Sequence, residues 1–152
     1  NIIKKIFSIY KKMGYEIELS IDLRKEKNIS TLLDVVNNIA YNNNCDRFYK
    51  FTDYEGSNRK IKRNSYVMIF CFEDEKFVNM TSFLKEIVEK YKKKFHIESV
   101  YEIDHNNLIY ASSYYMELME KEQKDNYKHR RQSRSFSETD YFILRDILHK
   151  NY

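Results

Sequence analysis

Strict alternation of apolar and polar residues predicts a strand at residues 15–23, where the apolar positions are separated by acidic or hydroxylated residues. A period of two is typical of a strand with one buried and one solvated face. Residues 48–54 and 95–103 also favour strands. Residues 66–72 are apolar at every position, which predicts a central strand buried on both faces.

Apolar residues at helical spacing predict five helices. The clearest spans residues 77–91. Others are expected at residues 2–13, ending before Gly14, and after Ser30, which we expect to cap its helix. A helix is predicted from Leu108 to Met119, running on into a charged stretch, and a last one follows Ser137.

The predicted order is strand, helix, strand, strand, helix, strand. We therefore expect an α+β domain with an antiparallel sheet of βαββαβ, ferredoxin-like topology and additional N- and C-terminal helices. The alternative is a three- or four-stranded α+β sheet with another strand order. Residues 1–120 are expected to form the core domain, and residues 121–152 a basic connector with the C-terminal helix.

The chain has 152 residues, enough for one core, and no apolar run long enough to span a membrane, so no membrane partner is expected. The two cysteines show no ligand spacing, which favours a reducing intracellular compartment, cytoplasmic or nuclear. Asn, Lys, Ile and Tyr make up 63 residues, which indicates an AT-rich genome such as that of a large DNA virus.

Basic residues are concentrated locally. Residues 121–134 hold six basic and two acidic side chains, a net +4 that equals the net charge of the whole chain. Such clusters can bind phosphates. The candidate nucleic-acid-binding residues are Arg59, Lys60, Lys62, Arg63, Lys128, Arg130, Arg131 and Arg134.

Carboxylates suggest a metal site at one sheet edge. In the ferredoxin-like order, the strands at 15–23 and 66–72 are neighbours, and we expect them to run parallel. Asp22 and Asp74 would then lie at the same edge, with Glu98 of an antiparallel neighbour close by. Carboxylate oxygens are the ligands that Mg²⁺ and Mn²⁺ prefer, so a metal-dependent phosphoryl-transfer enzyme is one hypothesis.

The favoured hypothesis is a non-catalytic binding or assembly module in an intracellular complex, with a protein partner or a second copy and no cofactor. Glycine-rich phosphate loops and nucleophile motifs are missing, and two glycines leave little backbone of the kind active sites need. Nucleic-acid binding by residues 121–134 is the alternative. The expected partner contacts are apolar residues of the central strand and the last helix: Tyr66, Met68, Phe70, Phe72, Tyr141, Leu144 and Leu148.

Overall fold

A five-stranded antiparallel sheet forms the centre of the fold in a computed structural model. The structure describes residues 14–53, 65–103, 107–113, 116 and 138–149, and it describes only the backbone of residues 49–53, 138–141 and 149. The sheet order is β2-β3-β1-β4-β5. The strands are β1 (Tyr15–Asp22), β2 (Arg47–Asp53), β3 (Ser65–Phe72), β4 (His96–Glu102) and β5 (Asn107–Ala111).

Three helices accompany the sheet in the described residues, namely α1 (Ile29–Asn42), α2 (Phe77–Tyr91) and α3 (Glu138–His149). The cap of α1 is Asn28, whose Oδ1 accepts a hydrogen bond from the Thr31 amide at 3.4 Å, so the prediction that Ser30 caps this helix is wrong. No helix in these ranges combines the length and apolar character needed to cross a bilayer.

The predicted α+β class and antiparallel sheet are confirmed, but the helix predicted from Leu108 to Met119 is wrong at residues 108–111. Ser113 and Met116 are helical, and the Met116 amide donates to the Ser112 carbonyl at 2.9 Å. Residues 107–111 form the edge strand β5, paired with β4 from Asn107 opposite Glu102 to Ala111 opposite Ser99. Hydrogen bonding to a neighbouring strand decides this structure, and the spacing of apolar residues in the segment itself does not report it. The predicted N-terminal helix lies outside the described residues.

The expected parallel pairing of the first and central strands is also wrong. β1 and β3 are antiparallel, with Tyr15 opposite Phe72 and Asp22 opposite Ser65. The end of β1 therefore meets the start of β3, and the residues that follow β3 leave from the opposite end of the sheet.

The core lies between the sheet and the helices. It contains the alternate residues of β1 and, beside them, those of β3, because directly paired residues point to the same face. The Phe83 ring of α2 lies 4.9 Å from Phe70 and 5.5 Å from Phe72, and Phe48 of β2 stacks on Phe70 at 4.6 Å. Aromatic pairs at such distances add to the free energy gained by burial.

This packing corrects the prediction that the central strand presents aromatic residues to a partner. Met68, Phe70 and Phe72 are at most 1% exposed, and Tyr66 is half-buried against the core. Val67 and Cys71 on the other face are also buried. A strand that is apolar at every position shows no alternation of apolar and polar residues. Its sequence therefore does not indicate which of its two faces the helices cover.

The C-terminal helix α3 packs on α2 and contributes to the same core. Leu144 is fully buried and Leu148 is 5% exposed. The predicted partner stripe of Leu144 and Leu148 therefore faces the domain itself, and the side chain of Tyr141 lies outside the described atoms.

Gly14 lies where two backbone segments come closest. Its amide donates to the Phe72 carbonyl at 3.1 Å, and its carbonyl accepts from the Ile103 amide at 2.9 Å. A Cβ at this position would lie 2.5 Å from the backbone nitrogen and Cα of Asp74. The atoms it would meet belong to the backbone of Glu73 and Asp74, which cannot move aside as a flexible side chain could.

We expect Gly14→Ala to lower the free energy of unfolding by about 1–3 kcal/mol, because the new methyl group forces the two backbones apart. Urea denaturation followed by circular dichroism measures this change. Lys27→Ala, at an exposed turn position, is the control and should change stability by less than about 0.5 kcal/mol. Equal stability of the two variants would contradict the close approach.

Phe70→Ala should lower the free energy of unfolding by about 3–5 kcal/mol, because it leaves a cavity among Phe48, Phe72 and Phe83. The matched variant Phe142→Ala removes the same ring from a side chain that is 47% exposed, and it should cost less than about 1 kcal/mol. Thermal and urea unfolding of both variants measure the difference. Similar losses would show that the aromatic face of β3 is not the core.

Candidate functional site

A groove between α2 and α3 forms a concave surface with a mostly apolar lining in the described part of the chain. Its volume is about 470 Å³. Two helices from distant parts of the sequence form its walls. The lining residues are Val78, Thr81, Ser82, Lys85, Val88 and Glu89 of α2, and Ile143, Asp146 and Ile147 of α3.

Two apolar residues of this groove are exposed, although Val88 is buried and Ile147 is half-buried. Val78 is 75% exposed and Ile143 is 43% exposed, while Phe142 beside it on α3 is 47% exposed. Helical geometry explains the arrangement on α3, since Leu144 and Leu148 are four residues apart and both turn inward. Ile143, Arg145 and Asp146, which lie beside these leucines in the sequence, are exposed on the outer side of the helix. Ile147 lies at the boundary and is half-buried.

The rim of the groove carries both signs of charge. Lys85 and Glu89 are one turn apart on α2, and Asp146 is on the facing wall. The guanidinium of Arg145 lies 5.8 Å from the centre of the Phe142 ring, which favours a cation–π contact at the outer edge of α3. The groove therefore offers apolar contact at its floor and charged contact at its rim.

The structure does not bring the three predicted metal-binding carboxylates together. Asp22 is opposite Ser65 at one end of the sheet, whereas Asp74 follows Phe72 at the other end. No group of three or more histidine, cysteine or acidic residues within the described ranges is placed to hold a metal ion. The antiparallel pairing of β1 with β3 is the physical reason.

Asp22 is instead used by the turn that follows β1. Its Oδ1 accepts a hydrogen bond from the Arg24 amide at 2.9 Å and lies 3.5 Å from the Arg24 Nε. Desolvation of the carboxyl raises its pKa, but the hydrogen bonds and charge of Arg24, with the charge of Lys25, outweigh it, so the pKa of Asp22 is lowered.

Glu98 is a buried carboxylate, 4% exposed, at a bulge in β4. Ser99 pairs with Glu18 and Ile97 pairs with Leu19, so Glu98 is the extra residue. Its carboxylate accepts hydrogen bonds from the Ser20 hydroxyl at 2.7 Å and the Ser112 hydroxyl at 2.6 Å. This carboxylate ties β5 to the centre of the sheet, a structural role that the sequence pattern did not indicate.

The two cysteines are neighbours, although the sequence separates them widely. The Cys45 thiol donates to the carbonyls of Arg47 at 3.1 Å and Cys71 at 3.3 Å. Burial raises the pKa of Cys45 to about 11 and that of Cys71 to about 12. Because the thiolate is the nucleophile, both cysteines are poor nucleophiles near neutral pH.

The two predicted basic segments remain predictions. Their residues, Arg59, Lys60, Lys62, Arg63, Lys128, Arg130, Arg131 and Arg134, lie outside the described residues.

The sequence pattern does not predict this groove, because the residues that line its two walls are more than fifty positions apart in the chain. Val78 gave one local indication, as Ile143 did on the facing helix. Val78 is an apolar residue outside the buried stripe of Met80, Leu84, Ile87 and Val88.

Comparison of the chain with known protein families and with curated proteins finds no match.

We expect alkylation of Cys45 in the folded protein near neutral pH to be about 100-fold slower than in the unfolded chain, because the pKa rises from 9.0 to about 11. The rate should continue to rise about tenfold per pH unit above ~pH 9, since the thiolate fraction is still growing there. Iodoacetamide labelling read by mass spectrometry measures both quantities. A rate that levels off near pH 9 would show that the thiol has its ordinary pKa and that access alone limits the reaction.

Proposed function

We propose that this domain is a non-catalytic assembly module that binds a second copy of itself through the groove between α2 and α3. The observation that carries the proposal is the exposure of Val78 and Ile143 on opposite walls of one groove. Scattered apolar side chains are common on protein surfaces, but those that share a concave surface favour an interaction site. The site differs from the aromatic strand face expected from the sequence.

Charge supports a second copy as the occupant. In a two-fold symmetric dimer the same surface meets itself, so residues of opposite charge on one helix can pair across the axis. Lys85 and Glu89 are separated by one turn of α2 and both line the groove. With the two α2 helices antiparallel, Lys85 of each copy lies opposite Glu89 of the other.

The shape of the α2 surface supports the same arrangement. Thr81 and Ser82 lie between Val78 and Lys85 on the wall of the groove. Small side chains on a helical surface allow a second helix to approach closely, and the larger apolar Val78 contributes contact beside them.

The non-catalytic part of the proposal is supported by the state of the groups that catalysis would use. Burial holds both cysteines as thiols, and the Glu98 carboxylate is engaged by two serine hydroxyls inside the sheet. Neither group faces the groove.

The proposal includes a ferredoxin-like topology for the first four strands. Their order β2-β3-β1-β4, with α1 after β1 and α2 after β3, supports it, and β5 then extends the sheet beyond β4. It also includes a reducing intracellular compartment, which the two free thiols support.

Light scattering coupled to size exclusion should give a mass twice the chain mass of 18.7 kDa. The dimer should persist between ~50 and ~500 mM salt, because most of the buried contact is apolar. Val78→Asp should return the protein to the monomer mass, since it places an uncompensated carboxylate on the apolar wall of the groove.

Tyr41→Asp is the matched control, because Tyr41 is 82% exposed on α1 and does not line the groove. This variant should remain dimeric with an unchanged melting temperature. A monomeric parent protein, or equal behaviour of the two variants, would overturn self-assembly through this groove.

A further inference from the structure

Two turns from distant parts of the chain meet at one end of the sheet. Ser20 near the end of β1 pairs with His96 at the start of β4, so the turn after β1 and the turn before β4 are adjacent. The Lys94 ammonium joins them, with Nζ–O distances of 2.9 and 3.2 Å to the two carboxylate oxygens of Glu26. We call residues 22–27 and 89–94 together the cationic end.

The cationic end carries a large excess of positive charge. It holds seven lysines and arginines against three carboxylates, a net +4. Three of its cations are in ion pairs: Arg24 with Asp22, Lys94 with Glu26, and Lys90 with Glu86.

Four exposed lysines of the cationic end have no such partner. Lys25, Lys27, Lys92 and Lys93 form no ion pair with a carboxylate of the described residues. Of the acidic side chains nearest in the chain, Asp22, Glu26 and Glu86 are engaged by other cations, and Glu89 lines the groove. We therefore expect these four charges to be available to an external anion.

The backbone that carries these lysines is well held. The Tyr91 carbonyl accepts hydrogen bonds from the amides of Lys94 and Phe95 at 2.9 and 3.0 Å, and the rings of Tyr91 and Phe95 pack edge to face at 5.9 Å. On the other turn, the Asp22 carbonyl accepts from the amides of Lys25 and Glu26 at 3.2 and 2.9 Å. Fixed turns reduce the ordering cost of binding.

We propose that the cationic end binds the phosphate backbone of nucleic acid without reading its sequence. Several lysines on adjacent rigid turns can each replace a condensed counterion along a chain of regularly spaced phosphates. The lysines of this site do not line the assembly groove, and none of them belongs to the basic segments predicted from the sequence.

The composition of the cationic end favours nucleic acid over an anionic membrane. Binding to a bilayer surface usually combines basic residues with apolar side chains that enter the interface. The large apolar side chains that are exposed in the described residues are Tyr41, Val78, Met116, Phe142 and Ile143, and none of them belongs to the cationic end.

Fluorescence anisotropy of the full chain with a mixed-sequence DNA duplex of about 20 base pairs tests the proposal. If the four unpaired lysines contact phosphates, affinity should fall on the order of 100-fold between ~50 and ~200 mM salt. Lys92→Gln/Lys93→Gln should weaken binding at least tenfold at ~50 mM salt and reduce the slope of log affinity against log salt by about 2.

Lys11→Gln/Lys12→Gln is the matched control, because it removes the same charge from two adjacent lysines in a different part of the chain. It should retain more than half of the parent affinity. Equal losses in the two variants, or no binding by the parent at ~50 mM salt, would overturn the proposal.

A loss found only with Arg130→Gln/Arg131→Gln would assign the binding to that segment and also overturn it. Salt-sensitive binding to phosphatidylserine vesicles, lost in Lys92→Gln/Lys93→Gln without any binding to DNA, would identify a membrane surface instead.

Discussion

The pairing of β1 with both β3 and β4 is the constraint on which the rest of the described domain depends. β1 is the central strand, hydrogen-bonded on both sides in antiparallel register. Its helix-facing residues Tyr15, Ile17, Leu19 and Ile21 are at most 5% exposed, so a slip of one residue would exchange them for acidic and hydroxylated neighbours. This register decides which face of β3 meets the helices, because residues opposite one another share a face.

Burial of the aromatic face moves the interaction surface to the outside of the helical layer. Phe70 and Phe72 are used in packing against Phe83, and α2 is in turn covered on one side by Leu144 and Leu148 of α3. Two adjacent helices that share a core leave a groove on their outer side, and here that groove is lined by apolar residues that the domain does not bury. The proposed assembly surface thus results from the packing of α3 on α2, which closes the core.

The antiparallel sheet also determines where charge accumulates. It separates Asp22 from Asp74, which removes the expected metal site, and it brings the turn after β1 beside the turn before β4. Lysines that belong to unremarkable turns in the sequence thereby form one surface. The groove and the cationic end share Glu89, but the four exposed lysines of the cationic end do not line the groove, so a protein contact and a phosphate contact would use different side chains.

The sequence by itself determined the α+β class, four of the strands and the three described helices, because regular alternation and helical spacing report local burial. It also identified β3 as an interior strand of the sheet, since a strand that is covered on both faces is apolar throughout. The tertiary structure alone decided the buried face of that strand, the strand nature of residues 107–111, the inward stripe of α3, and both proposed surfaces. These features depend on hydrogen bonds and contacts between segments far apart in the chain, and periodicity within one segment carries no information about its distant neighbours.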